Sequence, residues 1–177
     1  MIASLINILL LAAQAEKPVS LPKLADYPVK EVFTGQAKQP ILTSVVQRAF
    51  RSRIRNGVSK GEGVWNGSWD NPTLTAKPNF AGHYFVIRWG CGSNCLMMAI
   101  VDAETGKVFN PPLNIGELGL QMDLMSKQEI DFEPTSSLMI LRNACKAGRS
   151  ECGIYYFNWE TDRFRLVKRI LVDLTRQ

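Results

Sequence analysis

The chain has 177 residues, of which 46% are hydrophobic, and 21 Lys and Arg against 16 Asp and Glu give it a net charge of +5. That is the length of one ordinary domain with a real core, and its longest apolar run is too short for a transmembrane helix. Modest basicity eases approach to an acidic protein, an anionic wall polymer, lipid head groups or nucleic acid without choosing among them.

Residues 1–15 read as an export signal. Ile2 to Ala13 is almost wholly apolar, and Ala13-Gln14-Ala15 forms a small-x-small cleavage site before Glu16, although no Lys or Arg precedes the apolar run. Residues 16–177 then form a single disulfide-containing domain, periplasmic or secreted, with no transmembrane segment after cleavage. Pro18, Pro22, Pro28 and Pro40 keep the first part of this domain extended or irregular, with Val29 to Phe33 a short edge strand. Pro40 suits the first position of a helix over Ile41 to Asn56, with Ile41, Leu42, Val45, Val46, Ala49, Phe50 and Ile54 as its buried stripe and Gly57 as its end. The opposite face carries Arg48, Arg51, Arg53 and Arg55. It reads first as a solvated face whose cations suit the helix C-terminus, and second as a binding stripe centred on Arg48, Arg51 and Arg55.

Val58 to Asn79 is a long loop rich in Gly, Asn, Ser and Pro, with a hairpin expected around Asn66-Gly67. Its Trp65 and Trp69 either cap the core or serve as exposed anchors for a sugar or protein surface. Asn66-Gly67-Ser68 matches the glycosylation sequon, which matters only in a eukaryotic host.

Phe80 to Pro112 is the most readable stretch. Tyr84 to Trp89 is an apolar strand, Cys91 to Cys95 brackets a Gly-, Ser- and Asn-rich loop, and Leu96 to Val101 is a second strand. The turn Asp102-Ala103-Glu104-Thr105-Gly106 leads into a third at Lys107 to Phe109, with Gly106 free to take positive φ. Leu113 to Glu133 reads as a short helix or irregular crossing. The plan then returns: strand Ser137 to Arg142, loop Cys145 to Cys152, strand Gly153 to Trp159, turn Glu160-Thr161-Asp162, strand Arg163 to Ile170. Cys91 and Cys145 set the spacing of this pseudo-repeat. The expected fold is therefore α+β, mainly β: two antiparallel three-stranded meanders forming one curved sheet or two small packed ones, with one amphipathic helix on the sheet. In the last strand Phe164 and Leu166 alternate with Arg163 and Arg165, so one face should be wet.

Four cysteines in an exported chain read as two disulfides. Cys91–Cys95 and Cys145–Cys152 are the preferred pairs, since each brackets a loop between strands. Zinc is the competing reading, but the spacings are not those of zinc knuckles, so no metal is expected.

The block NFAGHYFVIRWGCGSNC…AIVDAETGKVF, behind an arginine-rich helix, resembles an uncharacterised family of small secreted bacterial proteins, and SSLMIL…CGIYYFNW…RFRLV resembles the C-terminal half of that family. The likeness spans roughly Leu24 to Ile170. Its most specific element is Gly-His-Tyr followed by Trp-Gly-Cys-Gly-x-x-Cys. The resemblance implies fold, export and bacterial origin, and no mechanism.

His83 is the only histidine. With both cysteine pairs oxidised no thiol remains for a Cys–His hydrolase, and Gly92-Ser93-Asn94 is not a nucleophile elbow. No phosphate loop, dinucleotide fingerprint or zinc-protease motif is present, so no cofactor is expected. Three functions remain. The first is a non-enzymatic macromolecule-binding domain of inhibitor or immunity type, its partner another envelope or secreted protein. The second is a cell-envelope polymer hydrolase with His83, Arg88 and Asp102 as its polar core, the last two on adjacent strands and able to pair. The third is a binder of an anionic envelope polymer through the arginine stripe. Nucleic acid is a poor candidate for an exported protein.

Overall fold

The structure is a computed structural model that describes residues 20–66, 73–92, 95–114, 116–122, 129–146 and 151–171. The export segment, Trp69, the Gly67-Ser68 part of the sequon and Ser93-Asn94 fall outside them. No helix among the described residues is long and apolar enough to cross a membrane.

The chain is mainly β, as expected. The first meander is β3 (Tyr84–Gly92), β4 (Cys95–Asp102) and β5 (Val108–Phe109); the second is β8 (Leu138–Cys145), β9 (Cys152–Glu160) and β10 (Arg163–Leu171). Both belong to one antiparallel eight-stranded sheet of order β10-β9-β8-β6-β4-β3. The two meanders meet through β6 (Gly119–Met122), which pairs with β4 on one side and β8 on the other. Two short strands lie beside this path: β5 pairs with β4, and β7 (Glu129–Asp131) with β8. Where the segment from Leu113 to Glu133 is described, strands β6 and β7 stand in place of the expected helix or irregular crossing; residues 115 and 123–128 lie outside the described residues. At four and three residues each strand is too short to show a period of two, and β6 opens on a glycine. A separate two-stranded hairpin pairs β1 (Trp65–Asn66) with β2 (Thr73–Leu74).

Alternation along the strands produces cores on both faces of the sheet. On one face Tyr84, Val86, Met98, Ile100, Leu120, Met139, Leu141, Tyr155, Phe157 and Trp159 form a single cluster. Phe80, at the entrance to β3, lies 5.9 Å from the Phe164 ring on β10 and 6.3 Å from Trp159 on β9. The Tyr84 hydroxyl donates to the Thr161 carbonyl at 2.9 Å. The ladder is open at β3 and β10, yet the sheet curls until side chains from its two ends meet. On the other face, one cluster joins β3 and β4 to a helix and a second joins β8 and β9 to the N-terminal segment through Leu24 and Tyr27.

The helix differs in detail from the expectation. It comprises α1 (Val45–Ala49) and α2 (Arg51–Lys60), with Phe50 between them. Ser44 caps α1 by accepting from the Gln47 N–H, so the start lies beyond Pro40. Ile41 and Val45 are 58% and 74% exposed and Ala49 is exposed too; Ile54 is buried as expected, and Gln47 and Val58 are buried beside it. Gly57 does not end the helix: it lies against β3, where a Cβ would come within 2.6 Å of the Ile87 side chain, and Gly61 caps the C-terminus. Burial of Ile54 and Val58 against β3 contributes about 1.5–3 kcal/mol each.

Val29 to Phe33 is not a strand. It is extended chain tied at single points, by Val29 N–H to Thr135 O and Phe33 N–H to Gly82 O. The wet-face alternation of β10 holds only at its start, because a bulge between Leu166 and Lys168 turns Val167 and Ile170 toward the Leu138–Tyr156 cluster. Both disulfides form as preferred, Cys91–Cys95 and Cys145–Cys152.

Candidate functional site

The β4–β5 turn determines what His83 can do. Asp102 Oδ1 accepts from the Glu104 and Thr105 N–H groups at 2.7 and 3.1 Å, and Oδ2 accepts from the Thr105 hydroxyl at 2.8 Å. This is an Asx-type turn, with Gly106 at φ 78 completing it. His83 stacks on Tyr84 with ring centroids 4.2 Å apart, and its Nε2 lies 3.9 Å from Asp102 Oδ1. The imidazole is partly open to a depression shared with Lys30, Glu31, Tyr84, Ser137 and Thr161. His83, Asp102 and Glu104 offer ligand atoms within 4.8 Å of one another, a cluster that the sequence reading did not identify. Three of the Asp102 lone-pair directions are already engaged in the turn, which leaves little for a cation. Burial, followed by the nearby carboxylates of Asp102, Glu104 and Asp162, holds the Tyr84 phenol above its usual range.

Arg88 and Asp102 do not pair. The strands are adjacent, but the register sets Tyr84 opposite Asp102 and Arg88 opposite Met98, four residues further along the ladder. The Arg88 guanidinium instead lies 5.9 Å from the Trp65 ring and 5.6 Å from Phe132. Burial lowers its pKa to about 10. Trp65 is half-buried beneath it, in the position of a core cap rather than an exposed anchor.

The charges are unevenly distributed along the chain. Residues 32–61 hold six of the 21 cations and none of the 16 acids, so the rest of the chain is close to balanced. Outside that stretch acids are interspersed with the cations, and four of the latter find carboxylates: Arg142 with Asp131, Lys146 and Arg169 with Glu151, Arg165 with Glu160. On α2, exposed Arg51, Arg53, Arg55 and Lys60 have no ion pair among the described residues, and Arg48 donates only to the Thr43 carbonyl at 2.8 Å.

A groove runs along the curled end of the sheet. Three adjoining depressions of about 500 to 550 Å3 share walls: the His83 depression meets the next at Asp102 and Thr161, and that one meets the third at Val108, Phe109 and Asp162. The sequence reading did not single out Asp162, although its turn follows β9 as the turn at Asp102 follows β4. Gln47 was hidden among the residues of an apolar stripe.

The fold and site thus define a disulfide-stapled α+β domain with one curled sheet, a bare arginine helix and an aromatic-walled groove. No family model, curated protein or solved structure matches the chain.

Proposed function

We propose that this is an exported bacterial binding domain, non-enzymatic, which engages an acidic macromolecule through the outer face of α1 and α2, as an inhibitor or immunity-type protein would. The observation that carries it is the segregation of charge: residues 32–61 hold six cations and no acid, and those of α2 have no ion pair among the described residues. A bare cluster raises the local concentration of acidic partners and speeds encounter. Two disulfides suit an oxidising compartment, and the resemblance to small secreted bacterial proteins supports the same location. A hydrolase centred on His83 has in its favour the open depression and the nearby Asp102. Against it stand the engagement of Asp102 in the turn and the distance of Arg88 along the ladder.

The test is retention of envelope proteins on the immobilised domain as salt rises, compared with the triple variant Arg48→Ser, Arg51→Ser, Arg55→Ser. The expected result is a partner held at low salt, released as screening shortens the reach of the charges, and not retained by the variant. Equal retention by the folded variant would overturn the reading. His83→Ala is expected to leave retention unchanged.

A further inference from the structure

We infer that the end of the groove beside α1 binds a neutral saccharide. The site is formed by Gln47, Phe109, Asn110, Asp162, Arg163 and Phe164 around a depression of about 500 Å3, a volume typical of small-ligand sites. Gln47 is the informative residue. It is only 5% exposed, and its Oε1 accepts from the Thr43 N–H at 2.8 Å and the Thr43 hydroxyl at 3.2 Å. Those bonds fix which branch of the amide is the oxygen. The Nε2 donor on the other branch has no protein acceptor among the described residues. That donor is not shut away from solvent, so a ligand oxygen can take the place of water there.

The surroundings specify the ligand chemistry. The Asn110 amide and the Asp162 carboxylate make no side-chain hydrogen bond among the described residues, so donors and acceptors stand available side by side. Phe109 and Phe164 are half-buried walls, with Trp159 packed against both at 5.1 and 4.7 Å between ring centroids. A sugar ring presents hydroxyls at its rim and C–H groups on its face, and so satisfies both kinds of surface. A wholly apolar ligand would leave Gln47 and Asp162 unsolvated and unpaired. A polyanion would meet Asp162 here and Asp102 further along the groove. An acetamido group adds a carbonyl suited to the Gln47 donor and a methyl suited to the aromatic wall.

The experiment titrates the folded domain with N,N′-diacetylchitobiose, and with cellobiose as the analogue lacking the acetamido groups, in a nitrogen–proton correlation spectrum. The expected result is saturable shifts confined to Gln47, residues 108–114 and residues 157–164, with cellobiose binding more weakly. Gln47→Glu keeps the acceptor for Thr43 and removes the donor, and should weaken binding about tenfold. Asp162→Asn provides a second variant on a different element and should weaken it as well. Absence of shifts at millimolar saccharide overturns the inference, as do shifts that Gln47→Glu leaves unchanged. The triple arginine variant should bind the disaccharide as the parent does, so this site and the arginine face can fail separately.

Discussion

The two meanders follow one plan in sequence and two in burial. In the first, Tyr84 and Val86 of β3 face the aromatic core; in the second, Met139 and Leu141 of β8 face it, while Leu138 and Ile140 turn away. Superposing Cys91 on Cys145 therefore sets the first strands of the two copies out of phase. The correction comes inside β8, at the register shift between Leu141 and Ala144, where Asn143 takes φ 57 and Ala144 returns to the core. The second strands need no correction: Met98 and Ile100 match Tyr155 and Phe157 when Cys95 is set on Cys152. The repeat is thus one of topology, and the disulfides mark its turns rather than its faces. Their environments differ too. Cys145 and Cys152 are 1% and 5% exposed and sit directly opposite each other across the ladder, whereas Cys91 is exposed and Cys95 half-buried at a hairpin tip.

That difference leads to the largest expected effect. In the chain-entropy model each short loop contributes roughly 2 kcal/mol when closed. Replacing the buried pair also removes two packed sulfurs, for about 1 kcal/mol more. Cys145→Ala with Cys152→Ala is expected to cost about 3 kcal/mol, and Cys91→Ala with Cys95→Ala about 2 kcal/mol, read from urea midpoints. Under mild reductant, alkylation followed by mass spectrometry should find Cys91 and Cys95 modified first. Equal costs and simultaneous modification would mean that burial does not distinguish the two bridges.

The legible parts of the sequence were those in which local chemistry and burial agree. Tyr84 to Trp89 and Gly153 to Trp159 are dense apolar and aromatic runs bounded by turn residues, and both became strands close to their expected bounds. Strand β6 was not legible because its partners lie on both sides in space and in different meanders; nothing local marks Gly119–Met122 as the joint. The helix misled because Ile41 and Val45 fit its apolar period yet remain exposed, while Gln47 is buried by its bonds to Thr43. At the site, Arg88 and Asp102 were rightly set on adjacent strands. Register, which no composition reveals, separated them, and the turn engaged the carboxylate.

The two arginines that stand three residues before the first cysteine of each meander sharpen the contrast. Arg142 donates from Nε and Nη2 to Asp131 at 2.9 Å each, on a half-exposed surface. Arg88 has no carboxylate within salt-bridge range among the described residues and is partly buried between two rings. A pKa lowered to about 10 from the usual guanidinium range corresponds to roughly 3 kcal/mol of unfavourable burial. Two cation–π contacts return about 1–2 kcal/mol of that, so the penalty wins by about 1 kcal/mol. Because the lowered pKa belongs to a cation, the penalty is present at every pH below about 10 and is relieved only as pH rises through that value. Arg88→Met should therefore raise stability by about 1 kcal/mol. Arg142→Met should lower it by less than 1 kcal/mol, the worth of an exposed pair. A marked loss at Arg88 in chemical denaturation would show that the charge has a stabilising partner.

The smallest effect is electrostatic and belongs to the second meander alone. The Lys146 ammonium, hydrogen-bonded to Glu151 and joined by Arg169, holds that carboxyl below its usual range; Arg165 does the same to Glu160. For an acid with a depressed folded pKa, the unfolded chain binds the proton first. The stabilisation is then fully present above the ordinary glutamate pKa of 4.5 and is lost as pH falls through the lower folded values. The thermal midpoint should consequently drop on acidification below that range. Glu151→Gln with Glu160→Gln should flatten the drop while changing stability at neutral pH by less than either pair of cysteine replacements. Salt should flatten it as well, since both carboxylates lie at the surface. The first meander has no counterpart to these pairs among the described residues, so acid should loosen the β9–β10 ladder before the β3–β4 ladder. Amide exchange measured strand by strand would reveal that order, and simultaneous loosening would place the acid sensitivity outside these two carboxylates.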